Sequence, residues 1–390
     1  MQERMTQFDY QPLTRVLFGS GKLNQLGEVV ASLGGKTVLL VTDPGLEEAG
    51  HPQRAAANLH SAGCQVVLFD EVEENPTTRH VEAGVEVAKR RKIDFIVAVG
   101  GGSAMDCAKG INFLLTNGGK MQDYWGVGKA QKEMLPSVGV PTTAGTGSEA
   151  QSFALIRDPD SHIKMACGDR KAAFKIAILD PELTLTQPQR VTALTGMDAV
   201  SHALEAYVTT KRNALSQLFA REAWRLLHQS FERVLHQPND LEARAMMQWG
   251  AHLAGLAIEN SMLGATHALA NPLSAHYGMV HGQAIGIMLP HVIRFNSEVV
   301  EPLYEELAET VGIRPDEEPT GAGRLADRVT AFARIAELPE SLSACGVSQG
   351  MLAVLAEEAS QQWTGTYNPR PVGYNELLGL YQQAFGSESD

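Results

Sequence analysis

Cysteine is scarce in this chain. The four present, Cys64, Cys107, Cys167 and Cys345, stand far apart and form no C-x-x-C pair, which excludes a disulfide framework and a zinc ribbon and suits a reducing compartment. No apolar run approaches the roughly 18 residues that mark a membrane-spanning helix. The opening MQERMTQFDYQPL has no apolar core of the kind a secretory signal carries, so the expectation is a cytoplasmic protein. Long basic blocks are missing too. The longest is KRRK at 89–92, and 32 Lys and Arg against 45 Asp and Glu leave a formal charge of −13, which argues against a phosphate-neutralising nucleic-acid surface. What is there is 44% hydrophobic and 20% charged, with 37 Gly and 18 Pro spread along 390 residues. That is the composition of a globular protein of about two domains, whose partners are small molecules or other protein chains.

Between 36 and about 180 one pattern recurs: a short β-branched run, a turn with Gly or Pro, then a helix-period segment. The runs are KTVLLVTD (36–43), QVVLFD (65–70), DFIVAVG (94–100), SVGVP (137–141) and KIAILD (175–180). Near-continuous apolar strands separated by helical patterns predict an α/β domain whose parallel sheet is buried on both faces. Ligands of such sheets bind at the carboxyl ends of the strands. After Pro181 the β-rich runs thin out. The spacing over 190–310 and 318–388, for example 193–208 and 215–235, predicts an all-helical second domain. The polar turn PELTLTQP (181–188) sets the boundary, giving domains 1–185 and 186–390.

Two loops in the first half carry chemistry. VGGGSAMDCAK (99–109) follows an apolar strand and opens a helix. Its glycines let a ligand approach the backbone, while the helix start near Ser103 aims free N–H groups at the loop, so the loop suits a pyrophosphate. It is neither G-x-G-x-x-G nor a P-loop, and a ligand-free turn is the alternative. PTTAGTGSE (141–149) offers Thr142, Thr143, Thr146 and Ser148 as hydroxyl partners for phosphate or ribose, with a plain polar loop as the alternative. Asp43, ending the first strand run, can accept from an adenosine ribose and would repel a 2′-phosphate, favouring NAD over NADP. An aspartate that merely opens a turn competes with that reading.

In the helical half, Asp198 and His202 stand at i, i+4 and share a helix face. Further on, His267 and His281 lie in apolar, small-residue surroundings where an unpaired imidazole is costly. One carboxylate and three imidazoles make a plausible mixed site for Fe2+ or Zn2+ with a position open for substrate oxygen. His252, His276 and His291 compete for the same role, and ordinary core or surface histidines remain the alternative.

These motifs, in this order, resemble the iron-containing (group III) alcohol dehydrogenases. The likeness runs from LFGSG (17–21) through GGGSAMDCAK (100–109), PTTAGTGSE (141–149), GMDAVSHALEAY (196–207), ATHALANPLSAHYGMVHG (265–282) and LPHVIRFN (289–296) to the C-terminal helices. The resemblance implies an N-terminal Rossmann-like nucleotide-binding α/β domain and an all-α C-terminal metal-binding domain, the dehydroquinate-synthase-like architecture, usually in a homodimer or larger homo-oligomer. It places metal ligands on Asp198, His202, His267 and His281. Nicotinamide dinucleotide contacts fall on Asp43, Asn75, Gly101, Gly102, Ser103, Thr142, Thr143, Thr146 and Lys164, of which Asn75 and Lys164 are promoted by the resemblance alone. One position departs from the pattern. Where members often carry a second histidine four residues after the third ligand, this chain has Asn271, which exchanges no proton near pH 7; His276 is the candidate substitute relay.

The implied activity is NAD-linked and metal-dependent: hydride transfer between a small alcohol or aldehyde and nicotinamide, with Fe2+ the leading metal and Zn2+ the alternative. A polyol or hydroxy-acid dehydrogenase of the same superfamily is the nearest variant. A dehydroquinate-synthase-like lyase would need a Lys/Arg cluster for its phosphate and carboxylate, and 260–295 offers only Arg294. A non-catalytic fold homologue is the reading from another class.

Overall fold

The computed structural model describes residues 7–160, 163–314 and 320–386. The described residues divide into two compact units, one within 11–187 and the other from 188 onward together with residues 7–10. The expected division at 185/186 therefore moves to 187/188, and residues 7–10 group with the helical unit instead of the α/β one.

In the α/β unit the elements run β1 (Arg15–Phe18), α1 (Leu26–Ser32), β2 (Thr37–Val41), α2 (His51–Ser61), β3 (Gln65–Phe69), α3 (Thr78–Arg91), β4 (Phe95–Gly100), α4 (Gly102–Asn117), β5 (Gly126–Val127), β6 (Ser137–Pro141), β7 (Phe153–Arg157), β8 (Lys164–Gly168) and β9 (Ile176–Leu179). Six strands form one parallel sheet in the order β1-β9-β6-β4-β2-β3. Side chains alternate between its faces. Val38 and Leu40 join Val97 and Val99 in a core with Leu26 and Val30 of α1 and Leu59 of α2. Leu39 and Val41 join Ile96 and Ala98 in a second core with Val81 of α3 and Met105 and Ile111 of α4. Every residue of β4 is buried, as a strand covered on both faces requires, and each such branched side chain contributes about 1.5–3 kcal/mol.

After β2 the chain adds β3 on one side, then returns to place β4 on the other. That reversal makes the carboxyl ends of β2 and β4 the switch point of the sheet, where an open α/β sheet leaves a crevice for ligands. A small second sheet, β5-β8-β7, has no counterpart in the sequence reading, and neither does β1. The reason is visible in β8, KMACG, which holds no β-branched or aromatic residue and is a strand through its antiparallel pairing with β7.

In the helical unit the elements are α5 (Gln189–Val208), α6 (Ala214–His236), α7 (Leu241–Glu259), α8 (Ala265–Tyr277), α9 (His281–Thr310), α10 (Gly321–Ile335), α11 (Leu352–Ser360) and α12 (Tyr374–Phe385), with no strand among the described residues. From Gly196 to Val208 every residue of α5 is buried, so it is a core helix surrounded by others. The polar residues it carries are therefore interior groups that must be paired.

Candidate metal centre and nucleotide loops

Three helices bring four side chains to one point. Asp198 and His202 lie one turn apart on α5, His267 stands in the first turn of α8, and His281 opens α9. The start of α9 comes so close to α5 that a Cβ on Gly282 would lie 2.1 Å from the Leu194 carbonyl oxygen. Only glycine fits there. His202 Nε2 lies 3.1 Å from His267 Nε2. Asp198 Oδ1 lies 3.3 Å from His202 Nε2 and 3.6 Å from Nε2 of both His267 and His281. Asp198, His202 and His267 are buried, whereas the His281 side chain is 27% exposed and forms the open side of the cluster.

The donor set fits a divalent metal. Asp198 Oδ1 is buried with no hydrogen-bond donor of its own, a costly state for a carboxylate unless a cation faces it. Ligand atoms about 2.1 Å from one tetrahedral ion stand about 3.4 Å apart; His202–His267 and the three distances from Asp198 Oδ1 run from 3.1 to 3.6 Å, and the ligand atoms of Asp198, His267 and His281 all lie within 4.8 Å of one another, a group that leaves His202 at its edge. Burial pushes the Asp198 carboxyl up, but His202, His267 and His281 outweigh it and hold the group well below the usual carboxylate range. Burial would lower His267, yet Glu205 and Asp198 reverse that and raise it to about 9. The cluster is built to hold positive charge.

Glu205, absent from the sequence reading, fixes the His267 imidazole. Its Oε2 accepts from His267 Nδ1 at 2.5 Å, while Oε1 accepts from the Thr266 backbone N–H at 2.7 Å. One buried carboxylate thus caps the start of α8 and sets the imidazole tautomer, leaving the Nε2 lone pair aimed at the cluster. Beside it, Asn368 Oδ1 accepts from the Ala265 N–H, and Asn368 Nδ2 donates to Asn296 Oδ1 at 2.7 Å. The available signal was the i, i+4, i+7 stripe of Asp198, His202 and Glu205, three acidic or imidazole groups on one face of an otherwise apolar helix.

Two of the competing histidines, His252 and His276, go elsewhere. His252 stacks on Trp249, with ring centroids 5.4 Å apart. His276 lies nine residues after His267, on the opposite face of α8, and its Nε2 is 2.8 Å from Glu358 Oε1. The structure does not bring this candidate relay to the cluster. Asn271, one turn after His267, donates from Nδ2 to Gln362 Oε1 at 2.9 Å. Arg294 is engaged with Asp327 at 2.5 Å, so the one cation a lyase reading could call on is already paired. An open depression of about 730 Å³, lined by residues including His228, Glu232, Arg233 and Arg328, contains none of the cluster residues.

In the α/β unit the glycine loops meet at the carboxyl ends of β2, β4 and β6. Asp43 follows β2, and its Oδ2 would lie 3.1 Å from a Cβ on Gly100; burial pushes its carboxyl up. A Cβ on Gly101 would touch Thr143 at 3.4 Å, and one on Gly102 would strike Thr146 at 2.7 Å. The Thr142 N–H donates to the Gly100 carbonyl. Asn75 adopts a positive φ of 56°, a conformation asparagine tolerates. Its N–H donates to Ser103 Oγ and its Oδ1 accepts from Lys164 Nζ, both at 3.3 Å. Asp43, Asn75, Gly101, Gly102, Ser103, Thr142, Thr143, Thr146 and Lys164 are therefore neighbours on one rim. Ser148 is the exception among the hydroxyls singled out: it is buried, its Oγ donating to Asp106 Oδ1 at 2.6 Å and accepting from Lys109 Nζ at 2.8 Å, so it does not face a ligand.

Compared with known proteins, residues 13–181 match the family model described as iron-containing alcohol dehydrogenase, and 192–385 match its C-terminal counterpart, Fe-containing alcohol dehydrogenase family, C-terminal. The chain belongs to the iron-containing alcohol dehydrogenase family. Its relatives in that family include alcohol dehydrogenase 4 of Schizosaccharomyces pombe, 36% identical over 94% of this chain and 87% of the relative. Another is the NAD-dependent methanol dehydrogenase of Bacillus methanolicus, 33% identical over 97% of this chain and 100% of the relative. Among solved structures, a crystal structure of 1,3-propanediol oxidoreductase matches with a TM-score of 0.94 at 34% identity, covering 97% of this chain and 100% of that one. The Rossmann-like and all-α units described above are the iron-containing alcohol dehydrogenase fold.

Proposed function

We propose that this member of the family is an NAD-linked, metal-dependent alcohol dehydrogenase and aldehyde reductase acting on small alcohols and aldehydes. The observation that carries the reading is the convergence of Asp198 Oδ1 with three imidazole nitrogens. Asp198, His202, His267 and His281 would hold the metal, with Fe2+ favoured by the family and Zn2+ served by the same donors. A metal held there would supply Lewis acidity toward a substrate oxygen, and a bound dinucleotide would supply the hydride acceptor or donor. The chain's own groups do the rest. Glu205 holds the proton of His267 on Nδ1, so that Nε2 points to the cluster. The more exposed His281 marks the side open to substrate. Asn271 donates to Gln362 and exchanges no proton near pH 7, so that position would supply no relay for the proton of an alcohol hydroxyl.

The rim around Gly101–Gly102 and Thr142–Thr146 would take the pyrophosphate, with Asn75, Ser103 and Lys164 beside it, and Asp43 would accept from the adenosine ribose, favouring NAD over NADP. A homo-oligomer and a cytoplasmic location complete the proposal. The latter is supported by four cysteines that form no disulfide; no helix among the described residues is long and apolar enough to cross a membrane.

Elemental analysis of protein purified anaerobically, NADH fluorescence titration and turnover with short alcohols, diols and aldehydes test the reading together. One equivalent of metal, saturable NADH binding and turnover are expected, and His267→Ala or His281→Ala should remove metal and turnover together. Full turnover in a metal-free variant refutes it.

A further inference from the structure

Lys109 is 1% exposed, an expensive place for an ammonium group unless its hydrogens are all taken. They are: Nζ donates to the Ser148 carbonyl at 2.7 Å, to Ser148 Oγ at 2.8 Å and to the Phe153 carbonyl at 2.7 Å. The Ser148 hydroxyl in turn donates to Asp106 Oδ1, which lies 3.9 Å from Nζ. Gly102, Asp106 and Lys109 stand at i, i+4 and i+7 on α4 and so share one face. The top of that face, Gly102, is packed against Thr146 so closely that a Cβ would approach to 2.7 Å. Ser148, two residues beyond Thr146, is gripped by the lower part of the same face. The loop is therefore held at two heights on one helix, and the lower grip sets where Thr143 and Thr146 stand relative to the first N–H groups of α4.

We propose that Asp106, Lys109 and Ser148 form a clamp between the two glycine loops, with Lys109 a positioning residue for the dinucleotide. This rests on the nucleotide reading above. The clamp touches no ligand; it pre-organises two surfaces that must face one ligand at once, and so reduces the ordering that binding would otherwise require.

The test uses the metal-loaded enzyme, with NADH fluorescence titration, KM for NAD, kcat, metal content and melting temperature measured on each protein. Ser148→Ala removes both Oγ bonds with little change in volume. The double substitution Asp106→Asn with Lys109→Met removes the charge pair without leaving one charge stranded. Both are expected to raise the NADH Kd and the KM for NAD about tenfold, the equivalent of one or two net hydrogen bonds, more than they lower kcat, with metal content retained. Should the double variant fail to fold, Ser148→Ala decides. A lower melting temperature with wild-type Kd and KM would show the clamp to be structural only and overturn the proposal. If the wild-type protein itself binds no NADH, the nucleotide reading fails and the clamp's role falls with it.

Discussion

Replacing Glu205 by Gln should weaken metal binding at the proposed site while leaving Asp198, His202, His267 and His281 unchanged. The carboxylate has two acceptor oxygens in use, one on His267 Nδ1–H at 2.5 Å and one on the Thr266 N–H at 2.7 Å. An amide has one oxygen and one NH2, so either orientation loses something. With its oxygen on Thr266, the NH2 faces His267 and favours the tautomer that puts a proton on Nε2, the atom proposed to face the metal. With its oxygen on His267, the NH2 meets the Thr266 N–H, and a buried donor at the start of α8 goes unsatisfied at a cost of about 1–3 kcal/mol. Outer partners of this kind are worth 10- to 100-fold in metal affinity, or about 1.4–2.7 kcal/mol. The assay is competition for Zn2+ against a fluorescent chelator at fixed pH, with circular dichroism confirming that the helices persist. A Glu205→Gln protein that holds Zn2+ as tightly as the wild type would refute the tautomer argument.

Other outcomes follow from the same geometry. Gly102→Ala places a Cβ 2.7 Å from the short, branched Thr146 side chain, so the loop must move, and NADH titration should show at least about a tenfold loss of affinity for an overpacking cost of about 1–3 kcal/mol; unchanged affinity would remove the loop contact from the binding surface. His228 is half-buried and accepts from Arg328 Nε at 3.1 Å. Burial, reinforced by the Arg328 charge, lowers it from 6.5 to about 4. The folded state then binds fewer protons than the unfolded one, so this contribution is full above pH 6.5 and is lost as pH falls toward 4. His228→Gln should flatten the fall in melting temperature across that window, by the equivalent of about 2 kcal/mol at most after allowing for partial exposure. Some slope should persist, because burial also lowers His51 and His291. An identical slope in the variant would clear His228 of the acid sensitivity.

The parallel sheet was legible because its strands are covered on both faces: the five apolar runs expected between 36 and 180 correspond to β2, β3, β4, β6 and β9. The edge strand β1 and the small sheet were not, since RVLF is short and half-exposed and KMACG has no intrinsic strand preference. The four converging side chains were readable from residue type together with family spacing, although spacing alone left His252, His276 and His291 in contention. Glu205 and Lys109 escaped for one reason. Each is a charged residue in an apolar helix, and what gives it meaning is a partner, His267 or Ser148, 62 or 39 residues away in sequence. Helical period tells which face a residue lies on, not what faces it.

Glu205 also constrains how this protein can change over generations. Because the same carboxylate starts α8 and aims His267, a substitution that tunes one property moves the other. Variants with altered metal preference would be expected to carry altered helix stability, and selection for either trait would be felt by both. Escape from that coupling needs two changes at once, a new cap for the Thr266 N–H and a new acceptor for His267, and neither helps without the other.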